Sequence, residues 1–409
     1  MVTERSRSND FMFTKRAVSP ITQRISTMTV PPLLAKSSKL LPKPTRRILN
    51  NASDRLFRAR DLVLADQTPY DVLHDNGLVK LRHYLPLTED EILVDDTVTI
   101  INKKRHKVPL VIVPPLAVNM LIYDLFPSRS LVKYYLAQGF DVYLIDWGMP
   151  TRKHTHYNLS TYVTEFMPEF LAKVREHSGK KELSLHGWSM GGIFTLCYTA
   201  LTHDPDIRNL VILGTPINSH ASGAIGKVYQ FIERRAEWVR KNTGFRIHNL
   251  NPQLLHTPGW ANVVGFKMTN PVGSLMGYWE LVVKLADRQF VINHATTSAF
   301  LDKMVAYPGG IVQDMMVRIW IDNELAKGYM QLGNTEVRLA DIQCSLLAGA
   351  GKSDNMVTKA AVQTLMDHVS STDKEFIVVS GGHMGILSGS KAPQDVWPKV
   401  GEWLAARSN

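Results

Sequence analysis

Six short apolar runs constrain the fold of this chain more than any other feature. They occupy residues 109–114, 141–145, 182–185, 210–213, 344–348 and 376–379, punctuated by Gly, Pro or Asp. A strand with one wet face alternates apolar and polar side chains. An unbroken apolar run fits a strand buried on both faces, as in a parallel sheet covered on both sides. Between the runs, residues 130–138, 159–177, 191–202, 357–369 and 398–407 read as helices. Strand and helix in alternation define an α/β fold with helices on both faces of the sheet. Residues 78–85 differ, because Val79, Leu81 and Leu85 recur at period two, as on one face of a half-buried strand.

The alternation lapses from about residue 217 to 337, where the sequence is mainly helical or irregular, and resumes near Gln343. A block of this length is too long for a loop and is expected to form an inserted lid or cap. Its aromatic residues, Tyr229, Phe231, Trp238, Trp260, Phe266, Tyr278, Trp279 and Phe290, are expected for the most part to form its own core. The expected organisation is a basic N-terminal arm over 1–65, with a short helix around 44–64, a first part of the core over 66–217, the lid over 218–340, and a second part of the core over 341–409.

The formal net charge of +10 belongs to the start of the chain. Residues 1–60 hold 13 Lys and Arg against three acidic residues, which leaves 34 basic and 34 acidic residues in the remainder. A basic arm on a neutral body argues against a nucleic-acid-binding protein and for a solvated tail that touches an anionic surface or an acidic partner, with a tail that only aids solubility as the alternative reading. A composition of 44% hydrophobic and 21% charged residues excludes disordered, collagen-like and coiled-coil chains. The two cysteines, Cys197 and Cys344, cannot build a disulfide framework; both read as core residues and fit a reducing, cytoplasmic compartment. No run of about 18 apolar residues marks a membrane span. The longest apolar stretch near the start, 28–35, is interrupted by two prolines and makes a poor secretory signal, while Glu4 and Asp10 count against an organelle transit peptide.

Chemistry enters at Gly187-Trp188-Ser189-Met190-Gly191, which lies between a strand and a helical segment. G-x-S-x-G in that setting is the nucleophile elbow, whose flanking glycines Gly187 and Gly191 leave room for neighbouring backbone. Ser189 is the expected nucleophile. A serine needs a base and an orienting acid, and in this arrangement they follow in the order Ser, acid, His. Asp354 lies in a loop after one apolar run, with helix capping as its alternative reading and Asp341 and Asp367 as weaker rivals. His383 lies in the small-residue loop after the last run, its alternative being an ordinary loop histidine. His186 falls within a strand, His154 and His156 in a polar loop, and Asp146 at a strand end where tying down the loop is the simpler role. An oxyanion hole is expected from the backbone N–H groups of Met190 and, after Pro114-Pro115, of Leu116, with Ala117 as its neighbour. No metal-ligand spacing, phosphate loop or dinucleotide fingerprint is present, so no metal and no cofactor are expected.

At this point the chain resembles polyhydroxyalkanoate synthases, especially those of class III. The likeness rests on Thr68-Pro-Tyr-Asp-Val-Leu, Val111-Ile-Val-Pro-Pro, Ser130-Leu-Val, Asp141-Val-Tyr-Leu-Ile-Asp-Trp-Gly, Ser189-Met-Gly-Gly with Leu196-Cys-Tyr, Asn209-Leu-Val-Ile-Leu-Gly-Thr-Pro-Ile, Asp354 and Gly382-His383, and covers roughly residues 65–405. It implies an α/β-hydrolase core with a lid, and acyl transfer from hydroxyacyl-CoA thioesters through a covalent acyl-enzyme. Those synthases carry cysteine where this chain has Ser189. A serine forms an oxoester that a histidine-activated water removes, so the substitution favours a serine hydrolase of acyl esters or thioesters. Two alternatives stand beside that reading: an acyltransferase using (R)-3-hydroxyacyl-CoA, and a non-catalytic scaffold on a polymer granule or membrane surface. The expected partners are an acyl ester or acyl-CoA and, through the basic arm, an anionic membrane or granule surface, with no nucleic acid; a homodimer is a further expectation.

Overall fold

A computed structural model describes residues 42–268 and 271–409. Most of the expected basic arm, including the 28–35 stretch, therefore lies outside the described residues. Its final part forms helix α1 (Lys43–Phe57), close to the expected helix, with a proline in its first turn.

One eight-stranded sheet runs through the molecule. Its strands are β1 (Tyr70–Asp75), β2 (Lys80–Tyr84), β3 (Leu110–Val113), β4 (Val142–Asp146), β5 (Leu183–Trp188), β6 (Ile207–Leu213), β7 (Ser345–Gly351) and β8 (Lys374–Val379). They lie in the order β1-β2-β4-β3-β5-β6-β7-β8. The pairs β1–β2 and β2–β4 are antiparallel, and every other pair is parallel. Every apolar run falls on a parallel strand, and all four residues of β3 are buried. Alternate side chains of β3 serve different layers. Val111 and Val113 pack with Phe170 and Leu171 of α3 (Met167–Ser178) and Ile193 and Phe194 of α4 (Met190–Thr202). Leu110 and Ile112 pack on the other face with Leu131 and Tyr135, which belong to the helix Leu131–Ala137, and with Trp397 and Trp403, which belong to the C-terminal helix Trp397–Ala405.

Some elements differ from the expectation. The helix read over 159–177 starts as a wider π turn, Thr161–Phe166, before α3, where Pro168 cannot donate a backbone hydrogen bond. The helix read over 357–369 is two short pieces, Lys359–Gln363 and Leu365–His368. Strand β1 and the hairpin of Glu91–Val94 with Thr97–Ile100 were not foreseen.

Between β6 and β7 lies the inserted block, with helices α5 (Gly223–Thr243), α6 (Gly259–Met268), α7 (Pro271–Val283) and α8 (Arg288–Leu301). Two expectations about it need correction. Its final stretch is a hairpin of Tyr329–Leu332 with Thr335–Arg338, closed through Gly333 at φ 55°. Its aromatic residues do not form a core of their own: Phe231, Trp238, Trp260, Tyr278 and Trp279 are exposed. Among the described residues no helix is long and apolar enough to cross a membrane.

Candidate active site

Strands β5, β7 and β8 end side by side, with Leu213 of β6 paired to Trp188 and Gly349, and Gly351 paired to Val379. The loops leaving these carboxyl ends carry Ser189, Asp354 and His383, at the rim where open α/β sheets gather ligands. Ser189 adopts φ 54° and ψ −123°, a backbone state that non-glycine residues rarely enter. Packing holds it there. A Cβ at Gly191 would collide with the carbonyl oxygen of Val113, and one at Gly187 with Thr195 Oγ1, so both glycines permit the close approach of α4 to the sheet. The Ser189 N–H donates to Leu213 O at 2.9 Å.

The three side chains form a continuous relay. Ser189 Oγ lies 3.0 Å from His383 Nε2, and His383 Nδ1 lies 2.8 Å from Asp354 Oδ2. A carboxylate only accepts, so Nδ1 carries the imidazole proton and Nε2 offers its lone pair to the serine hydroxyl. The Asp354 side chain has no exposure to solvent and that of His383 has 11%. Asp354 does not cap the helix that follows, whose N-cap is Thr358; it braces the loop before that helix. Its Oδ1 accepts the N–H groups of Met356 at 2.9 Å and Val357 at 2.8 Å, while Oδ2 faces the imidazole. The rivals are elsewhere: Asp341 ends a short turn and Asp367 sits in the helix Leu365–His368.

Several residues that sequence reasoning passed over hold this geometry. Trp188, the variable residue before the serine, donates from Nε1 to the carbonyl oxygen of His383 at 3.1 Å, and its ring centroid lies 5.3 Å from the imidazole. Asp395 accepts the Ser380 N–H at 2.6 Å, anchoring the start of the histidine loop; a hydrogen bond from Lys399 is the main cause that lowers its carboxyl to about 2. Trp147 donates from Nε1 to Pro114 O at 2.7 Å and fixes the segment before Leu116. Leu116 is buried beside it, and Ala117 takes φ 68° while its carbonyl accepts from Val305 N at 2.7 Å. Met190 opens α4, with its N–H at the positive end of the helix.

The remaining histidines and cysteines lie apart from the relay. His186 is buried, both ring nitrogens lack a hydrogen-bond partner among the described residues, and burial pushes its pKa down to about 4. His154 is half-buried in the polar loop, where its Nδ1 accepts from Thr151 N at 3.0 Å, and His156 is exposed. Asp146 binds Arg82 and the Gly148 N–H, which ties down its loop. Burial raises the thiols of Cys197 and Cys344 to about 12. Among the described residues no group of three or more His, Cys, Asp or Glu is placed to hold a metal ion.

Ser189, Met190 and His383 open into a cavity of about 170 Å³. The inserted block supplies much of its wall, through Ile225, Tyr229, Met315, Ile319 and Trp320, and Tyr307 adds to it. Tyr229 and Trp320 stack at 5.5 Å with an interplanar angle of 4°. The result is a hydrogen-bonded series of hydroxyl, imidazole and carboxylate facing a largely apolar cavity.

The sheet order, the elbow and the relay define a class, and the chain belongs to the α/β-hydrolase fold family, whose profile matches residues 109–390. Within that family it is distantly related to poly(3-hydroxyalkanoate) polymerases. It is 29% identical to the poly(3-hydroxyalkanoate) polymerase subunit PhaC of Haloferax mediterranei over 361 residues, covering 87% of this chain and 68% of that one. With the PhaC subunit of Allochromatium vinosum it is 30% identical over 307 residues, covering 74% of this chain and 82% of the other.

Proposed function

We propose that this protein is an acyltransferase of the polyhydroxyalkanoate-synthase kind that carries its acyl group on a serine. The observation that carries the reading is the Ser189–His383–Asp354 relay opening into a chamber walled by the inserted block. The relatedness to PhaC subunits supports transfer over simple hydrolysis. Ser189 Oγ attacks the carbonyl of a (R)-3-hydroxyacyl-CoA thioester and its proton passes to His383 Nε2. Asp354 orients the imidazole and stabilises its charged form. The N–H groups of Met190 and Leu116 receive the developing oxyanion. His383 then returns the proton to the leaving thiolate; the hydroxyl of a second hydroxyacyl group, deprotonated by the same imidazole, attacks the Ser189 ester, and the imidazole passes that proton to Ser189 Oγ as it leaves.

A second reading is favoured by Ser189 itself. An oxoester intermediate is open to a histidine-activated water, and hydrolysis then yields a free hydroxy acid. The two readings share the first half-reaction and part at the acceptor. Incubation with (R)-3-hydroxybutyryl-CoA, scoring free CoA and the fate of the acyl group against Ser189→Ala, separates them. CoA with oligomer supports transfer. CoA with free acid alone overturns transfer in favour of hydrolysis. No CoA release, together with no labelling of Ser189 by a fluorophosphonate, overturns both and leaves a scaffold.

A further inference from the structure

Helices α6 and α7 are apolar over much of their exposed surface. Across the two, the only charged side chains are Lys267 and Glu280. Both are occupied within the protein: Lys267 bonds Asp302 and Tyr278, and Glu280 bonds Lys284. Trp260 is 72% exposed, Leu275 73% and Trp279 63%, with Val264, Val272 and Val282 exposed beside them. Globular proteins rarely present this many exposed large apolar side chains on two successive helices unless something covers them.

We infer that the α6–α7 pair is a docking element that inserts into one leaflet of an anionic phospholipid bilayer. Its dimensions fit one leaflet. The helices have 10 and 13 residues, about 15 and 20 Å, against a hydrocarbon core of about 30 Å. Its chemistry fits as well, because exposed tryptophan beside aliphatic side chains suits the boundary between headgroups and acyl chains. The flanking charge selects lipid over a second copy of the chain. Helix α1 is seated against the turn that follows α7 and the start of α8, where Asn51 donates to Leu285 O at 2.8 Å and Arg288 bridges to Asp54 at 2.7 Å. That helix and the residue after it expose Lys43, Arg46, Arg47 and Arg58 together with Ile48, Leu49, Leu56 and Phe57. It lies within a segment, residues 1–60, that has 13 basic and three acidic residues in all. A second copy would bring the same positive charge against itself, whereas an anionic lipid surface attracts it.

The docking element is tied to the active site by a short strap. Thr257 and Tyr307 exchange backbone hydrogen bonds at 3.1 and 2.9 Å, and Asn262 of α6 donates to Val305 O at 2.7 Å. Val305 in turn donates to Ala117 O beside the proposed oxyanion loop, and Tyr307 lines the cavity. Docking therefore sets the chamber next to the surface.

The test is flotation of the full chain with vesicles of phosphatidylcholine, with and without phosphatidylglycerol, and quenching of tryptophan emission by brominated lipids. It reads binding without turnover, so it stands apart from the acyl chemistry. The expected result is partition that grows with phosphatidylglycerol, weakens with salt, and brings quenching. The double substitution Trp260→Glu and Trp279→Glu changes two exposed side chains, which leaves the fold and its circular dichroism intact. It is expected to lower partition at least about tenfold. Arg46→Ala with Arg47→Ala is expected to weaken the dependence on phosphatidylglycerol and keep the quenching, and an unchanged dependence would overturn the part assigned to helix α1. Folded protein that stays in the buffer with anionic vesicles overturns the inference, as does partition that survives the double Glu substitution. A lipid-free dimer in light scattering that the same Glu substitution dissociates also overturns it and assigns the face to self-association.

Discussion

Replacing Asp354 by asparagine probes the relay while leaving the shape of the side chain unchanged. An asparagine has one acceptor oxygen. The Met356 and Val357 N–H groups, at 2.9 and 2.8 Å from Oδ1, claim it. The amide NH2 is then left facing His383 Nδ1, where the carboxylate stood at 2.8 Å. A donor at that place forces the imidazole proton onto Nε2, so the ring donates toward Ser189 Oγ instead of accepting from it. The loop stays capped and the fold keeps its stability within about 1 kcal/mol. The rate of acylation falls by about 10⁴, or about 5 kcal/mol of transition-state stabilisation. Asp354→Ala also leaves the Met356 and Val357 N–H groups without their acceptor and lowers stability by about 1 kcal/mol or more. The assay is the rate of fluorophosphonate labelling of Ser189, which needs no knowledge of the substrate, read beside thermal unfolding. Labelling of the Asn variant within about tenfold of the parent would refute the reasoning and leave Asp354 a brace of its loop alone.

Three further predictions follow from the same structure. Trp188→Phe keeps the ring against His383 and loses the hydrogen bond to its carbonyl, so the labelling rate drops about tenfold with little change in melting temperature. Gly191→Ala drives a methyl into the backbone of Val113 and Pro114, which cannot move aside; stability falls by about 3 kcal/mol, seen as a lower urea midpoint. His186 is neutral when folded, with its pKa depressed from 6.5 to about 4. Below pH 6.5 the unfolded chain gains a proton that the folded chain refuses, so stability falls with decreasing pH by about 3 kcal/mol down to pH about 4. His186→Phe flattens that slope, measured as urea midpoints at neutral and acid pH; an unchanged slope would show that other groups set the acid limit.

The parallel strands were legible because burial on both faces leaves an unbroken apolar run, and β3 through β8 all carry one. Strand β1 was not, because its burial follows no period: its residues are half-buried or exposed in no alternating order. The hairpin around Asp95, which takes φ 53°, did leave a trace in two β-branched runs flanking two aspartates, but too short a one to stand out. Ser189, Asp354 and His383 stood out in the sequence because the elbow motif and the order Ser, acid, His select those residue types, and the structure brings the three within hydrogen-bond distance. Trp188 was not, because any residue satisfies the variable place of the motif, and only the folded chain reveals its reach to the histidine carbonyl. The aromatic residues of the inserted block misled for a related reason. Sequence shows how apolar a helix is, but whether the protein itself covers that surface depends on what packs against it, and Trp260 and Trp279 are left uncovered.

The central claim, an acyl-enzyme on Ser189 built by His383, is tested most directly by intact-protein mass spectrometry after rapid mixing with (R)-3-hydroxybutyryl-CoA. The account predicts a covalent hydroxybutyryl adduct that maps to the peptide carrying Ser189, absent in Ser189→Ala and strongly slowed in His383→Ala. Release of CoA without any adduct at Ser189, or an adduct that persists in Ser189→Ala, would contradict it.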